Sequence, residues 1–507
     1  MNYRVRILPL LVYVLATAAY AQYGSTPIKH VIVVFQENRT PDNLFQGLCT
    51  ANGGIPGCSA TGAGGTYNIV STYVNDEGQT VPLQPVGLAT NFDLDHSHGG
   101  PFLNSTVSGW NFQFKHQGIT GKDGVNVPAL CGANIFGCTV PANRYSQFMY
   151  VYNTPVTNSN GMKGGMLDPY LTMATSYGWA NRMFQTNQGP SYPAHQYIFG
   201  ATSAPSAEDD AQGVFASENA RSTDYGCGAG QSVQLIRPNG NFVPPFGTET
   251  PGDEIAQCFT RNAMDFLFSQ ANPKITWTYY AAGQSSLWVA PNSLSNLCIP
   301  LNGVCTGPVW VKGASNGYVD TAPPDVLNDI ANCALSQVSW VTPAGQYSDH
   351  PINSGQGPSW VVAIVNAIGN DTHCDDGTGY WKDTAIFITW DDWGGWYDHV
   401  PPVFEESTNQ KDYQQGFRVP LLVVSAYSPK PGYISNQDCD FGSILKAIEG
   451  LFGLGNLGLA DARSKNDLHE FFDFHRSPTV YRTIPTPLPG SFFIKTLTTE
   501  VDPPDTD

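Results

Sequence analysis

The chain has 507 residues, of which 41% are apolar, 12% aromatic and only 13% charged. That is ample material for a large core, so disorder and coiled coil are excluded. A net charge of −18 with no run of Lys or Arg excludes nucleic-acid binding by phosphate neutralisation and attraction to an anionic bilayer.

Residues 1–21 read as a secretory signal. Arg4 and Arg6 precede an apolar stretch from Ile7 to Ala19 that ends in Ala19-Tyr20-Ala21. The stretch is too short to span a bilayer, and no other run reaches about 18 apolar residues, so no integral membrane segment is expected. The mature protein is therefore expected to be secreted or periplasmic, where its 11 cysteines meet an oxidising environment. Three local pairs, Cys49/Cys58, Cys131/Cys138 and Cys298/Cys305, lie in Gly/Pro/Asn-rich stretches that a short disulfide loop can pin. Cys227, Cys258, Cys333, Cys374 and Cys439 are left over, so at least one thiol stays unpaired. No C-x-x-C occurs, which argues against a zinc ribbon or a thioredoxin-like site.

His30 to Phe35, Ala385 to Ile388 and Val419 to Val424 are continuous apolar runs, the pattern of strands covered on both faces. Between them, Trp360, Val361, Ile364, Val365 and Ile368 fall on one helical stripe. Phe441, Ile444, Leu445, Ile448, Leu451 and Phe452 form another, with Asp440 as its cap. This order predicts a three-layer α/β/α sandwich with a mostly parallel central sheet. Residues 49–165 and 203–255 are rich in Gly, Asn, Ser and Thr. They read as long insertions into a single domain covering 22–507.

Two of the strands end in chemistry. The first runs into Glu37 and Asn38, and the run at 385 into Asp391 and Asp392. Ligands gather beyond the carboxyl ends of such strands, and oxygen donors there suit Mg²⁺, Ca²⁺ or Mn²⁺. The bland alternative is that these acids cap helices. Histidines cluster with acids at Asp95-His96-Ser97-His98, Asp349-His350 and Asp398-His399, whereas His116 and His373 read as surface residues. Ser191, in Gly189-Pro190-Ser191, opens a predicted helix. It is either an ordinary N-cap or a nucleophile beside unpaired backbone N–H groups. No G-x-S-x-G surrounds it, so an α/β-hydrolase esterase is not supported.

Together these residues resemble a known family. The segment from Val33 to Phe45, with Gln36-Glu37-Asn38-Arg39-Thr40-Pro41-Asp42 at its centre, resembles the N-terminal signature of secreted bacterial phosphoesterases. That family holds the non-haemolytic phospholipases C and respiratory-burst-inhibiting acid phosphatases. Ile388 to Pro402 resembles its second signature, and Ser348-Asp349-His350-Pro351 and Arg418 to Ser425 fit in order, so the likeness spans about 28 to 475. The resemblance implies an alkaline-phosphatase-like fold and metal-assisted hydrolysis of a small phosphate ester or phospholipid headgroup. It implies Glu37, Asn38, Asp391 and Asp392 as ligands of a divalent metal ion and Ser191 as the nucleophile of a phosphoenzyme route. It further implies His350 as acid or oxyanion partner, with His96 and His195 contacting phosphate. Trp393, Phe441 and Pro193-Ala194-His195 depart from the family pattern and lean toward its acid-phosphatase branch. Two rival readings are a glycosidase with a carboxylate pair and a non-catalytic relative that binds a surface ligand.

Overall fold

The computed structural model describes residues 23, 25–50, 61–62, 65–74, 80–89, 94, 96, 148–157, 163–217, 224–236, 254–351, 354–400, 402–405 and 413–495. The expected signal segment, Cys58, Cys131, Cys138, His98 and His116 lie outside these residues.

Val31 to Phe35 form most of β1 (His30–Gln36), and all five side chains are fully buried. Burying each such side chain stabilises the fold by about 1.5–3 kcal/mol, which is why a run without polar alternation settles at a sheet centre. Seven further strands join it: β2 (Gly178–Ala180), β3 (Trp277–Tyr280), β4 (Gly317–Asp320), β5 (Val338–Val341), β6 (Thr384–Trp390), β7 (Leu421–Ser425) and β8 (Tyr433–Ser435). Their spatial order is β4-β3-β5-β1-β6-β7-β2-β8. β7 runs against both of its neighbours and the other strands share one direction. β7 starts later than its apolar run because Pro420 has no N–H for the ladder.

The helices that matter here are α1 (Pro41–Leu44), α2 (Asp168–Ser176), α3 (Ser191–Gly200), α4 (Asp325–Ala331), α5 (Gly357–Asn370) and α6 (Phe441–Phe452). Neighbouring residues of a strand face opposite sides of the sheet. Phe35 meets His195 of α3 and Phe441 of α6, whose helices pack together. Trp390 is register-paired with Gln36 and thus lies on the other face, where it meets Tyr170 of α2. α2 and α4 both pack on α5. The chain therefore forms the three-layer α/β/α sandwich with a mostly parallel sheet that its sequence predicts. Described parts of 49–165 and 203–255 form separate two- and three-stranded sheets.

Disulfides join Cys298 to Cys305, as expected, and also Cys227 to Cys258 and Cys333 to Cys374. Cys439 is a buried free thiol.

Asp440 caps α6 by accepting the Ser443 N–H at 3.0 Å, and Ser443 reciprocates at the Asp440 N–H at 3.1 Å. The same carboxylate accepts from Thr186 and Ser464. Asp440→Ala is expected to cost about 2 kcal/mol, read as a lower urea midpoint, while Asp440→Asn keeps most of the cap. Further along α6, burial first and then Asp461 push the Glu449 carboxyl up to about 10. A carboxyl raised on folding contributes stability that is full below its unfolded pKa of about 4.3 and lost as pH rises toward the folded value. Glu449→Gln is therefore expected to gain in melting temperature on the wild type steadily from about pH 5 to 9. Parallel melting curves would refute this.

Candidate active site

The site lies where β1 and β6 end side by side. Their pairing continues past the strands: Asp391 N–H donates to Gln36 O at 2.9 Å, and Arg39 N–H to Asp392 O at 3.0 Å. This brings Glu37, Asn38, Asp391 and Asp392 together, each fully buried. Asn38 adopts a left-handed φ of 60°, which asparagine tolerates better than most residues, and its N–H donates to Asp391 Oδ1 at 3.0 Å. Gly394, at φ 59°, packs so close that a Cβ there would sit 2.4 Å from Asn38 O. Only glycine lets the two loops approach this closely.

Ser191 enters from α3. The residue preceding the helix is Pro190, which makes no side-chain cap, so Ser191 is the first helical residue and not its N-cap. Gln185 and Asn187 hold the preceding turn by donating to Gly189 O, at 3.0 and 2.6 Å. The Ser191 hydroxyl stands 3.4 Å from both Glu37 Oε2 and Asp392 Oδ2. One turn on, His195 Nε2 lies 3.3 Å from Glu37 Oε1 and 3.9 Å from Asp391 Oδ2. Complete burial pushes this imidazole down to about 4, with Asp391 pulling the other way.

His96 reaches the same place from the 49–165 segment. Its Nδ1 lies 2.6 Å from Leu94 O, and since a carbonyl can only accept, that nitrogen carries the proton. Its Nε2 then accepts from Asn38 Nδ2 at 3.1 Å and sits 3.8 Å from Asp392 Oδ2. This orientation of the Asn38 amide leaves Oδ1 on its other side. Asn38 Oδ1 and Asp391 Oδ2 are buried with no hydrogen-bond partner. Unsatisfied buried acceptors are costly, and beside Glu37 and Asp392 they fit a divalent cation better than any neutral occupant. Glu37, His195 and Asp391 present ligand atoms within 4.8 Å of one another.

His350 is buried, with Nδ1 2.7 Å from Pro351 O. Its ring lies 6.3 Å from that of Trp288, which is also 6.3 Å from His195. The adjacent Asp349 carboxylate points elsewhere, accepting from Tyr170 Oη at 2.8 Å and Trp390 Nε1 at 3.0 Å. Burial pushes it up to about 6, opposed by Arg39. Its backbone is clamped as well: the N–H donates to Gln36 Oε1 at 2.7 Å, and the carbonyl accepts from Arg39 Nε at 3.0 Å and Nη2 at 2.8 Å. Sequence reading missed Gln36, Arg39, Tyr170 and Trp390 as supports, although three of them lie inside the signatures.

The other acidic histidine pair has a different job. Asp398 binds the buried Arg418, and His399 Nδ1 lies 2.7 Å from Asp42 Oδ2. His373 is exposed beside Asp371, as expected. Trp393 and Phe441 are packed residues: Trp393 stacks on Phe417 with centroids 4.0 Å apart, and Phe441 meets Phe35 edge to face.

Residues 28–455 match the phosphoesterase family. The chain belongs to that family. It is 32% identical to the non-hemolytic phospholipase C of Burkholderia pseudomallei over 151 residues, 25% of this chain and 21% of that protein. It is 28% identical to the non-hemolytic phospholipase C of Pseudomonas aeruginosa over 200 residues, 33% of this chain and 27% of that protein. The match thus spans about a quarter of the length of these two relatives. With phospholipase C A of Mycobacterium tuberculosis the identity is 28% over 457 residues, 85% of this chain and 74% of that protein. Among solved structures, an alkaline phosphatase superfamily protein from Vibrio parahaemolyticus shares 11% identity at a TM-score of 0.29, covering 60% of this chain and 65% of that one. The lipoteichoic acid synthase LtaP from Listeria monocytogenes shares 10% at a TM-score of 0.30, covering 62% and 74%.

Proposed function

We propose that the chain is an exported phosphoric ester hydrolase in which Ser191 is the nucleophile. The observation that carries this reading is the Ser191 hydroxyl, buried at the first turn of α3 and 3.4 Å from a carboxylate oxygen of each signature. Glu37, Asn38, Asp391 and Asp392 would hold a divalent cation. When bound, such an ion supplies positive charge that favours the serine alkoxide and offsets charge on the phosphoryl oxygens.

As Ser191 Oγ bonds to phosphorus in line and the bond to the leaving oxygen breaks, the serine proton passes to His350 Nε2 or water, and the leaving alkoxide takes a proton from the same source. Water then attacks the phosphoserine and frees the product. His350, with its own proton fixed on Nδ1 by Pro351 O, presents a bare Nε2 that takes the serine proton first and only then has one to give to the leaving oxygen. Asp349, locked on both backbone and side chain, holds the segment that carries it. The substrate class is a small phosphate ester or a phospholipid headgroup, the latter supported by the relatives' names. Export is supported by the Arg4-to-Ala21 pattern and the disulfides, and no described helix is long and apolar enough to cross a membrane.

The test is hydrolysis of an aryl phosphate and an aryl phosphorylcholine by purified protein, before and after chelation. Activity on either substrate that falls with chelator and returns with metal is expected. Inactivity on both with every divalent ion sinks the reading and favours a non-catalytic relative. Chelator-insensitive cleavage of sugars instead would favour the glycosidase.

A further inference from the structure

The sequence suggests His195 as a phosphate contact, yet its ring is turned toward the carboxylates. Nε2 lies 3.3 Å from Glu37 Oε1 and 3.9 Å from Asp391 Oδ2, and all three side chains are fully buried. Neither His195 Nε2 nor Asp391 Oδ2 makes a hydrogen bond. We infer that His195 is itself a ligand of the cation, joining Glu37, Asn38, Asp391 and Asp392 in a mixed nitrogen and oxygen set that selects a first-row transition ion over Mg²⁺ or Ca²⁺. This rests on the cation reading given above.

Three features hold the imidazole in a ligand's pose. Its ring is wedged against Phe35 at 5.2 Å and stacked on Trp288 at 6.3 Å between centroids. Its other nitrogen, Nδ1, faces Tyr279 Oη at 3.5 Å, and that hydroxyl donates its own proton to Trp288 O at 2.8 Å. With its proton committed to Trp288 O, the Tyr279 oxygen is left to accept, which favours the tautomer with Nδ1–H and a bare Nε2. A metal-bound histidine characteristically donates its second N–H in this way. The four-residue spacing also puts His195 on the same helix face as Ser191, so one rigid element carries both nucleophile and ligand. Imidazole is a poor donor for Mg²⁺ and Ca²⁺ and a good one for Zn²⁺, Fe²⁺ or Co²⁺, so the choice of ion follows from this one side chain.

The test is pulsed electron paramagnetic resonance on the purified full chain loaded with Mn²⁺, beside equilibrium dialysis of Zn²⁺ and Ca²⁺. An imidazole ¹⁴N coupling is expected in the wild type and in His96→Gln, and its loss in His195→Gln. Zn²⁺ affinity in His195→Gln is expected to fall by at least the roughly 10–100-fold that loss of an outer partner costs, with Ca²⁺ affinity far less changed. Tyr279→Phe, which keeps the ring and the packing, is expected to weaken Zn²⁺ by about tenfold while retaining the coupling. Bound Mn²⁺ without nitrogen coupling, or coupling lost in His96→Gln instead, overturns this inference and leaves the serine phosphoesterase standing. A chain that binds none of these ions overturns both.

Discussion

Replacing Ser191 with alanine is expected to lower kcat for phosphoester hydrolysis by about 10,000-fold or more, with Mn²⁺ binding and melting temperature unchanged. The magnitude is that of removing a nucleophile whose partners cannot act without it. Stability should hold because Ser191 is the first helical residue and provides no cap, and alanine is the best helix former. Its polar contacts here are long, at 3.4 Å each, so little bonding energy is lost with the hydroxyl. Acid quenching of the wild type during turnover should trap phosphate on the protein, and the variant should trap none. If Ser191→Ala retains activity within about tenfold of wild type, the nucleophile is something else and a direct attack by water becomes the better account.

How far the sequence reaches depends on whether a feature is local. β1 and β6 are seven-residue strands with continuous apolar runs, and α5 and α6 show clear stripes, so each is legible from its own residues. β3 and β5 are four-residue strands, Trp277–Tyr280 and Val338–Val341, too short to stand out from aromatic-rich loops. The reversed direction of β7 is likewise invisible, because an apolar run reads the same either way. Glu37, Asn38, Asp391 and Asp392 are legible as a cluster and a candidate site because the ends of strands collect ligands. The orientation of His195 is not, since it is fixed by Phe35, Trp288 and Tyr279, which come from distant parts of the chain. The same holds for Cys227–Cys258 and Cys333–Cys374, pairs separated by 31 and 41 residues.

The two signatures contain a second set of acids whose work is structural, and Arg418 reveals it. Asp42 follows the Glu37-Asn38-Arg39 turn, and Asp398 follows the Asp391-Asp392 loop. Fully buried Arg418 joins them: its guanidinium lies 2.9 Å from Asp398 Oδ1 and 3.4 Å from Asp42 Oδ1, while Nη1 donates to Asn68 O and Asn181 O at 2.8 Å each. Even with this cation beside it, burial leads the causes that push Asp398 up to about 6. Arg418→Ala is therefore expected to cost about 3–5 kcal/mol, because it strands two buried carboxylates. Urea denaturation should show it as a large fall in midpoint. Arg418→Lys should rescue only part, since one ammonium cannot reach both the carboxylates and the two carbonyls that the fork spans. Adding Asp42→Asn and Asp398→Asn to Arg418→Met should recover stability, as neutral groups no longer need a counter-charge. Failure to recover would mean that Arg418 acts mainly through its carbonyl contacts. Because the tie links both loops that carry the site, the destabilised variant should also bind Mn²⁺ more weakly while still folded. That would make Asp42 and Asp398 supports for the acids that precede them at the strand ends.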